Sequence, residues 1–411
     1  MLFSNSGYKF QYINCFEIAM QKFYLSSLLD NDFYKFTMQF AVVRLFSRAK
    51  AKYHFINRGK HSFPFGFAAA LQQSVNAMDD LKLTKEERQF LAATCPYLPP
   101  TYLDFLEGYR YNANEVQIQQ SGGELSVAVE GYWYRTILWE VPLLCMISEL
   151  YYRLNNMQRI SDEEVYAVTK EKIERYNALG ITIAEFGTRR RHSYDVHKIV
   201  MRALEENGGA CFVGTSNVHF AQLYNTKPIG THAHEWFMFH AAKYGYKMAN
   251  SMALEHWTGT YRGDLGIALS DTFTTKAFFQ QFDKKFAKLF DGIRHDSGDP
   301  IDFAAATIAH YKSLGINPLS KTIIFSDALN FEKVKRIAAF AKDKIGISFG
   351  IGTNFTNDVG LPPMNIVMKL TEAYPECGPW TNVVKLSDEK EKYTGDAGSI
   401  ALAKTILQIE D

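Results

Sequence analysis

The sequence has no CxxC pair, no internal repeat, no Pro/Gly/Ser-rich linker and no apolar run long enough to cross a bilayer. Each absence excludes something. Five cysteines (Cys15, Cys95, Cys145, Cys211, Cys377) lie scattered over 411 residues. An odd, dispersed set excludes a disulfide framework and points to free thiols in a reducing compartment. The most hydrophobic segment, ILWEVPLLCMIS, is interrupted by Glu140, which excludes a membrane span there. The first residues, MLFSNSGYKFQYINCFEIAMQ, show no basic stretch followed by a clean apolar core, so no secretory signal is expected. A formal net charge of +1 leaves no global basic field for nucleic acid and no acidic tail. Without linkers or repeats, the parts are expected to pack together rather than hang from tethers. A cytoplasmic enzyme is the expectation.

What is present is an ordinary globular composition, 47% apolar and 22% charged, in a chain of 46.9 kDa. That length suffices for a large domain and a smaller one with a substantial core. Aromatics reach 14%, enough for stacking sites for flat ligands. The first third mixes helical patterns (28–47, 84–93) with alternating segments such as AKYHFINR and GELSVAVEG, which reads as an α+β region over residues 1–140. From about residue 140 the rhythm changes: ILWEVPLLCMISELYYRLNNMQ reads as a buried helix, and short apolar runs then alternate with helical stretches.

Those runs are AEFG (184–187), ACFVG (210–214), KPIG (227–230), GIALS (266–270), GIRHD (292–296), TIIFSD (322–327), GISFGIG (346–352) and NIVMKL (365–370). Charged helices such as DEEVYAVTKEKIERYNAL and NFEKVKRIAAFAKDK separate most of them. The alternation predicts an α/β fold, either a closed barrel or a doubly wound sheet, and eight runs favour the barrel. The expected barrel covers 141–375. Residues 376–411 form a C-terminal segment expected to pack back on the first domain or the barrel.

In such folds reactive groups gather at the carboxyl ends of the strands. Here those ends read EFGTRRRHS, GTSNVH, GTHAHEW, SDTFT, RHDSGDP, SDALN and FGIGTNFTND. One such loop alone reads as a helix cap; seven together point to phosphate handling. Gly350, Gly352 and Thr353 offer backbone N–H groups to a phosphate. Asp271, Asp296, Asp299 and Asp327 could bind ribose hydroxyls or hold Mg²⁺ through water, and any one could simply cap a helix. Arg294 and the triplet Arg189-Arg190-Arg191 supply guanidinium groups for phosphate or carboxylate, against the plainer reading of a solvated charge run.

The stretch THAHEW (231–236) stands out in a chain with 11 histidines. HExxH spacing is absent, because the next histidine after His234 is His240, so a zincin site is excluded. Thr231 reads as the N-cap of the following helix, which puts His234 in its first turn, where the dipole favours added negative charge. A structural histidine remains the plainer alternative.

Together LLDNDFYKFTMQ (28–39), EFGTRRRHS, FVGTSN, GTHAHEW, SDTF, GIRHDSGDP, IIFSDALN, FGIGTN and the KL pairs at 369–370 and 385–386 resemble the nicotinate phosphoribosyltransferases. The resemblance implies an irregular α/β barrel of the type II phosphoribosyltransferase kind with an α+β N-terminal domain. It also implies a homodimer with active sites near the interface. The implied reaction moves phosphoribosyl from 5-phosphoribosyl 1-pyrophosphate to nicotinate, with ATP and Mg²⁺ as cofactors and a phosphorylated histidine. That histidine is His234; His232 falls on a variable position and receives no role. Phe186 and Tyr34 would stack on the pyridine ring, Tyr34 coming from the partner subunit. Arg294 and Asp296 would line the ring and ribose. Asp271 and Asp327 would face the phosphoribosyl group, and Gly350, Gly352 and Thr353 its 5′-phosphate. Arg189 or Arg190 would hold the pyrophosphate or the nicotinate carboxylate. Thr215, Ser216, Ser297, Gly298 and Ser326 complete the substrate-binding set, and no residue is assigned as a direct metal ligand.

Ser216 favours nicotinate over nicotinamide, since a hydroxyl can donate to a carboxylate whereas an aspartate there would repel it. A non-catalytic phosphosugar sensor would be expected to lose the histidine or the acidic strand ends, and this chain keeps them. A nucleic-acid module would rest on the Arg triplet alone and is opposed by the net charge. The family pattern starts at Leu28, so residues 1–19, ahead of Met20, are expected to be an extension or a misplaced start.

Overall fold

The computed structural model describes Leu25 and residues 27–409. The expectation about residues 1–19 lies outside that range. The first third forms strands β1 (Lys50–Asn57), β2 (Val116–Ser121) and β3 (Glu124–Tyr132). β2 and β3 make a hairpin whose two-residue turn, Gly122-Gly123, needs a positive φ, and Gly122 supplies it at +57°. β3 alternates as a half-buried strand should, with Leu125, Val127 and Val129 turned inward.

The central part contributes β4 (Ile183–Glu185), β5 (Phe212–Thr215), the short β6 (Arg262–Leu265), β7 (Ile267–Leu269), β8 (Gly292–His295), β9 (Thr322–Phe325) and β10 (Gly346–Ile351). Six of these form one parallel sheet in the order β5-β4-β10-β9-β8-β7. Parallel neighbours need crossovers, and the helices Tyr194–Asn207 (β4 to β5), Pro300–Ser313 (β8 to β9) and Phe331–Ala341 (β9 to β10) provide them. The local sequence starts each one: the Ser193 hydroxyl accepts from the Val196 N–H, Asp299 caps ahead of Pro300, and Asn330 accepts from the Lys333 N–H.

Two of the eight apolar runs depart from the expectation. KPIG forms no full strand, because Pro228 has no N–H to give a ladder. It makes one parallel bridge, Thr215 to Pro228. The Ile229 N–H donates to Thr215 O over 2.8 Å, and two residues on the Thr231 hydroxyl reaches Ile267 O at 3.1 Å. Residues 227–231 therefore span the gap between the outer strands β5 and β7 and complete an irregular ring.

NIVMKL is not a ring strand at all. It begins β11 (Ile366–Tyr374), which pairs antiparallel with β1 along its length, while β12 (Thr381–Asn382) continues the edge. The five-stranded sheet runs β12-β11-β1-β3-β2. Ile366, Met368 and Leu370 face the core while Lys369 faces the other way. That period of two marks a half-buried antiparallel strand rather than one buried on both faces.

Two helices join the sheets. Phe33–Leu45 is buried along ten consecutive residues, from Phe33 to Val42, and the polar Lys35, Thr37 and Gln39 are buried with them. Glu140–Leu154 is buried from Val141 to Leu150, in line with the reading of its sequence as a buried helix. Beyond β12, Val383 N–H donates to Thr371 O and Leu386 N–H to Thr272 O, so the C-terminal segment touches both the antiparallel sheet and the ring. Its helix, Ala397–Leu407, packs on the helix Tyr246–Tyr261. Among the described residues no helix is long and apolar enough to cross a membrane.

Candidate active site

A cleft of about 790 Å³ opens where the carboxyl ends of the parallel strands meet the start of the helix Phe33–Leu45 and one face of β11. Phe186 and Gly187 follow β4, Asp296 follows β8, Ser326 and Asp327 follow β9, and Gly352 and Thr353 follow β10. Seven cations (Arg58, Arg189, Arg190, Arg294, Lys369, Lys385, Lys392) line it against four carboxylates (Asp32, Asp296, Asp327, Asp358). A concave surface with that excess attracts anions carrying several negative charges.

His234 is the first residue of the helix His234–Tyr244 and lines the cleft. The N-cap is Ala233 rather than Thr231, whose hydroxyl is occupied by the Ile267 carbonyl. His234 Nε2 lies 2.9 Å from Asp296 Oδ2, and Nδ1 lies 3.1 Å from the Thr272 hydroxyl. Burial, helped by Lys385, pushes the imidazole pKa down to about 4, against the pull of Asp271 and Asp296. Asp296 is held well below the usual carboxylate range: the hydrogen bond from His234 and the charges of Arg294 and Lys385 outweigh its burial. The ring is therefore neutral. An ionised carboxylate can only accept, so Nε2 carries the hydrogen and Nδ1 keeps its lone pair, facing the Thr272 O–H.

His232 is different. It is fully buried, edge-on to Trp257 and Phe237, and neither ring nitrogen has a partner. It stays neutral in an apolar wall and does not reach the cleft; its carbonyl accepts from Arg294 Nη1.

The arginine triplet divides. Arg191 is buried in a two-pronged pair with Asp30, at 2.7 and 2.8 Å, and holds the fold together. Arg189 and Arg190 line the cleft. Arg189 lies 3.5 Å from Glu140 and 3.9 Å from Asp32. Burial, with Arg189 and Arg58 alongside, lowers Arg190 to about 10. Lys369 is pushed down to about 7, chiefly by burial and then by Lys385. Arg58, Lys369, Lys385 and Lys392 received no role from the sequence. The two KL pairs carried the signal for Lys369 and Lys385, but only the fold shows that β11 and the C-terminal segment turn these lysines toward the strand ends.

The acidic ends are tied to that segment. Lys392 lies 2.6 Å from Asp327, Lys385 lies 3.7 Å from Asp271 Oδ2, and the Gly298 N–H donates to Glu389. Asp271 is buried behind His234, 3.9 Å away, and its Oδ1 has no hydrogen-bond partner. Ser297 donates to Asp271 Oδ2 and Ser326 to Asp296 Oδ1. Asp299 caps the helix Pro300–Ser313 and pairs with Arg336 outside the cleft. For that aspartate the capping reading holds.

Gly350 has a steric purpose: a Cβ there would run into the Phe186 ring. Gly230, at φ +159°, lets the chain pass the Tyr34 backbone, since a Cβ would sit 2.9 Å from its nitrogen. Tyr34 lines the cleft together with Phe186 and Arg294 of the same chain. Its helix is buried among the chain's other elements from Phe33 to Val42. Thr215 and Ser216 lie behind the wall instead of in it. Thr215 donates to Glu185 at 2.6 Å, and Ser216 donates to Asp32 at 2.7 Å.

Residues 181–411 match the nicotinate phosphoribosyltransferase (NAPRTase) family and residues 29–148 its N-terminal domain. The chain belongs to the nicotinate phosphoribosyltransferase family. It is 62% identical over 385 residues to the nicotinate phosphoribosyltransferase of Chromohalobacter salexigens, covering 94% of this chain and 99% of that one. The Desulforapulum autotrophicum protein of that name is 49% identical, at 93% and 99% coverage. Among solved structures, nicotinate phosphoribosyltransferase from Porphyromonas gingivalis superposes with a TM-score of 0.91 at 44% identity, covering 93% of this chain and 99% of that one. The Vibrio cholerae one gives 0.89 at 33% identity, covering 95% of each chain.

Proposed function

We propose that this chain transfers phosphoribosyl from 5-phosphoribosyl 1-pyrophosphate to nicotinate, giving nicotinate mononucleotide and pyrophosphate, with ATP hydrolysis coupled through a phosphohistidine at His234. Relatives named nicotinate phosphoribosyltransferase over nearly the whole chain support the transfer. One observation carries the histidine step: a neutral imidazole, held by Asp296 through Nε2, opens at a helix start into a cation-lined cleft.

In the phosphorylation step the Nδ1 lone pair attacks the γ-phosphorus of ATP, the bond to the β-phosphate oxygen breaks, and ADP leaves. The Nε2 hydrogen stays on the Asp296 carboxylate's hydrogen bond, which balances the charge gained by the ring. The helix dipole and Lys385 favour the added phosphoryl group. In the transfer step the pyridine nitrogen bonds to the anomeric carbon as its C–O bond to pyrophosphate breaks, and positive charge develops on the ribose next to Asp296 and Asp327. Water then hydrolyses the phosphohistidine to release phosphate. The pyridine nitrogen carries no proton, so no base is needed. Tyr34 and Phe186 flank the ring, and the Arg189 and Arg190 guanidiniums take the carboxylate or the pyrophosphate. Positioning and charge stabilisation do most of the catalytic work.

The open Oδ1 of Asp271 and the Asp296 carboxylate are hard oxygen donors that fit Mg²⁺. Bound there, Mg²⁺ would supply positive charge for the leaving pyrophosphate.

On this reading the assembly is a cytoplasmic homodimer in which each chain supplies its own Tyr34, and Cys95, Cys145, Cys211 and Cys377 stay free thiols. The test is an assay of purified protein with nicotinate or nicotinamide and phosphoribosyl pyrophosphate, with and without ATP. Nicotinate mononucleotide formation stimulated by ATP is the expected result. Exclusive use of nicotinamide, or indifference to ATP, would contradict it.

A further inference from the structure

Behind the cleft wall lies a buried charge network with no place in the chemistry above. The Lys35 side chain is completely buried. Its ammonium lies 2.6 Å from Glu140 Oε2 and also pairs with Glu235 Oε1. The Tyr53 hydroxyl donates to the other Glu235 oxygen at 2.6 Å, and the Trp133 indole N–H donates to Tyr53 at 3.0 Å. Glu140 in turn meets Arg189 at 3.5 Å. Burial alone would strip the Lys35 proton, but the two glutamates outweigh it and hold the ammonium charged. Lys35 and Arg189 likewise keep Glu140 ionised despite burial.

The placement of the three chain segments matters more than the pairing. Lys35 follows Tyr34, Glu235 follows His234, and Glu140 holds Arg189, so each member adjoins or touches a residue of the cleft. We propose that Lys35 is a positioning residue that serves two ends of the site through two glutamates. Through Glu140 it fixes Arg189, which receives the substrate anion. Through Glu235 it fixes the first turn of the helix that presents His234. Removing the ammonium would leave the two buried glutamates without their shared cation, and an uncompensated charge in such a network is costly. The assignment of the two ends rests on the function proposed above.

The experiment compares wild type with Lys35→Met, Glu235→Gln and Glu140→Gln. Thermal melting, kcat and KM for nicotinate, and the rate of His234 labelling from γ-labelled ATP are measured for each. Lys35→Met should lose about tenfold or more in kcat/KM, since it leaves two glutamates without their shared cation. The glutamate variants keep Lys35 for the other end and should fail in opposite ways. With Glu235 replaced, nicotinate KM should stay within about threefold of wild type while labelling slows by about tenfold. With Glu140 replaced, labelling should stay near wild type while nicotinate KM rises by about tenfold. Should Lys35→Met not fold, the contrast between the two glutamate variants reads the two ends separately. Glutamate variants with the same KM and the same labelling rate, or a Lys35→Met variant indistinguishable from wild type, would overturn the proposal. Wild type that leaves nicotinate unused would strike the assigned reaction instead, and the labelling contrast would still read the relay.

Discussion

Ser216 donates its hydroxyl to Asp32 across 2.7 Å, from a fully buried position behind the cleft wall. Asp32, not Ser216, faces the cleft. Burial pushes its carboxyl pKa up, while Arg189 and the Ser216 hydroxyl hold it down. A role of Ser216 in substrate choice would therefore run through Asp32 rather than through contact with the carboxylate of nicotinate. Ser216→Ala should raise nicotinate KM by a few fold, about the cost of one buried hydrogen bond to a charged group. Ser216→Asp should be worse and should lower thermal stability as well, because two carboxylates would then meet in a buried wall. Steady-state kinetics and a melting curve check both. A Ser216→Asp protein with unchanged melting and nicotinate KM would remove this link.

Tyr34 and Arg294 line the same cleft of one chain. Mixing a Tyr34→Ala chain with an Arg294→Ala chain should therefore give no recovery of activity, since every site in a mixed dimer would carry one change. Activity is measured after subunit exchange has been demonstrated. Recovery toward a quarter or more of the wild-type rate, roughly the statistical share expected for swapped sites, would show that the partner donates Tyr34.

Burial and Lys385 bring Lys369 down to about 7 in the free protein. It is charged below that pH and loses its proton above it, so an anion in the cleft binds best on the acid side. KM for phosphoribosyl pyrophosphate should rise as pH goes from 6 to 9, by up to about tenfold per unit of pKa that the bound anion restores. Lys369→Met should raise KM at pH 6 and flatten the profile. A profile of the same slope in the variant would assign the ionisation to another group.

The sequence carried the chemistry better than the architecture. Strand ends announce themselves by residue type, so Phe186, Arg189, His234, Asp296, Asp327 and Thr353 meet in one cleft as their motifs suggested. Tertiary neighbours are not written locally. Nothing around Ser216 says that an aspartate 184 positions earlier takes its hydrogen bond. NIVMKL reads as one apolar run until its alternation is weighed against the lysine in it, and that lysine becomes a cleft residue only because β11 lies antiparallel to β1. Arg191 looks like its two neighbours in sequence, and only its pairing with Asp30 separates a structural arginine from two that line the cleft.

The central claim is that ATP phosphorylates His234, on the nitrogen that Asp296 does not hold. The most direct measurement follows acid-labile, base-stable label from γ-labelled ATP into wild type, His232→Asn and His234→Asn, and locates the phosphate on the ring by spectroscopy. Wild type and His232→Asn should take up label on Nδ1. His234→Asn should take up none and lose nicotinate-dependent ATP hydrolysis, while a slow ATP-independent transfer persists because the strand ends are intact. Label that persists in His234→Asn and vanishes in His232→Asn would contradict the account.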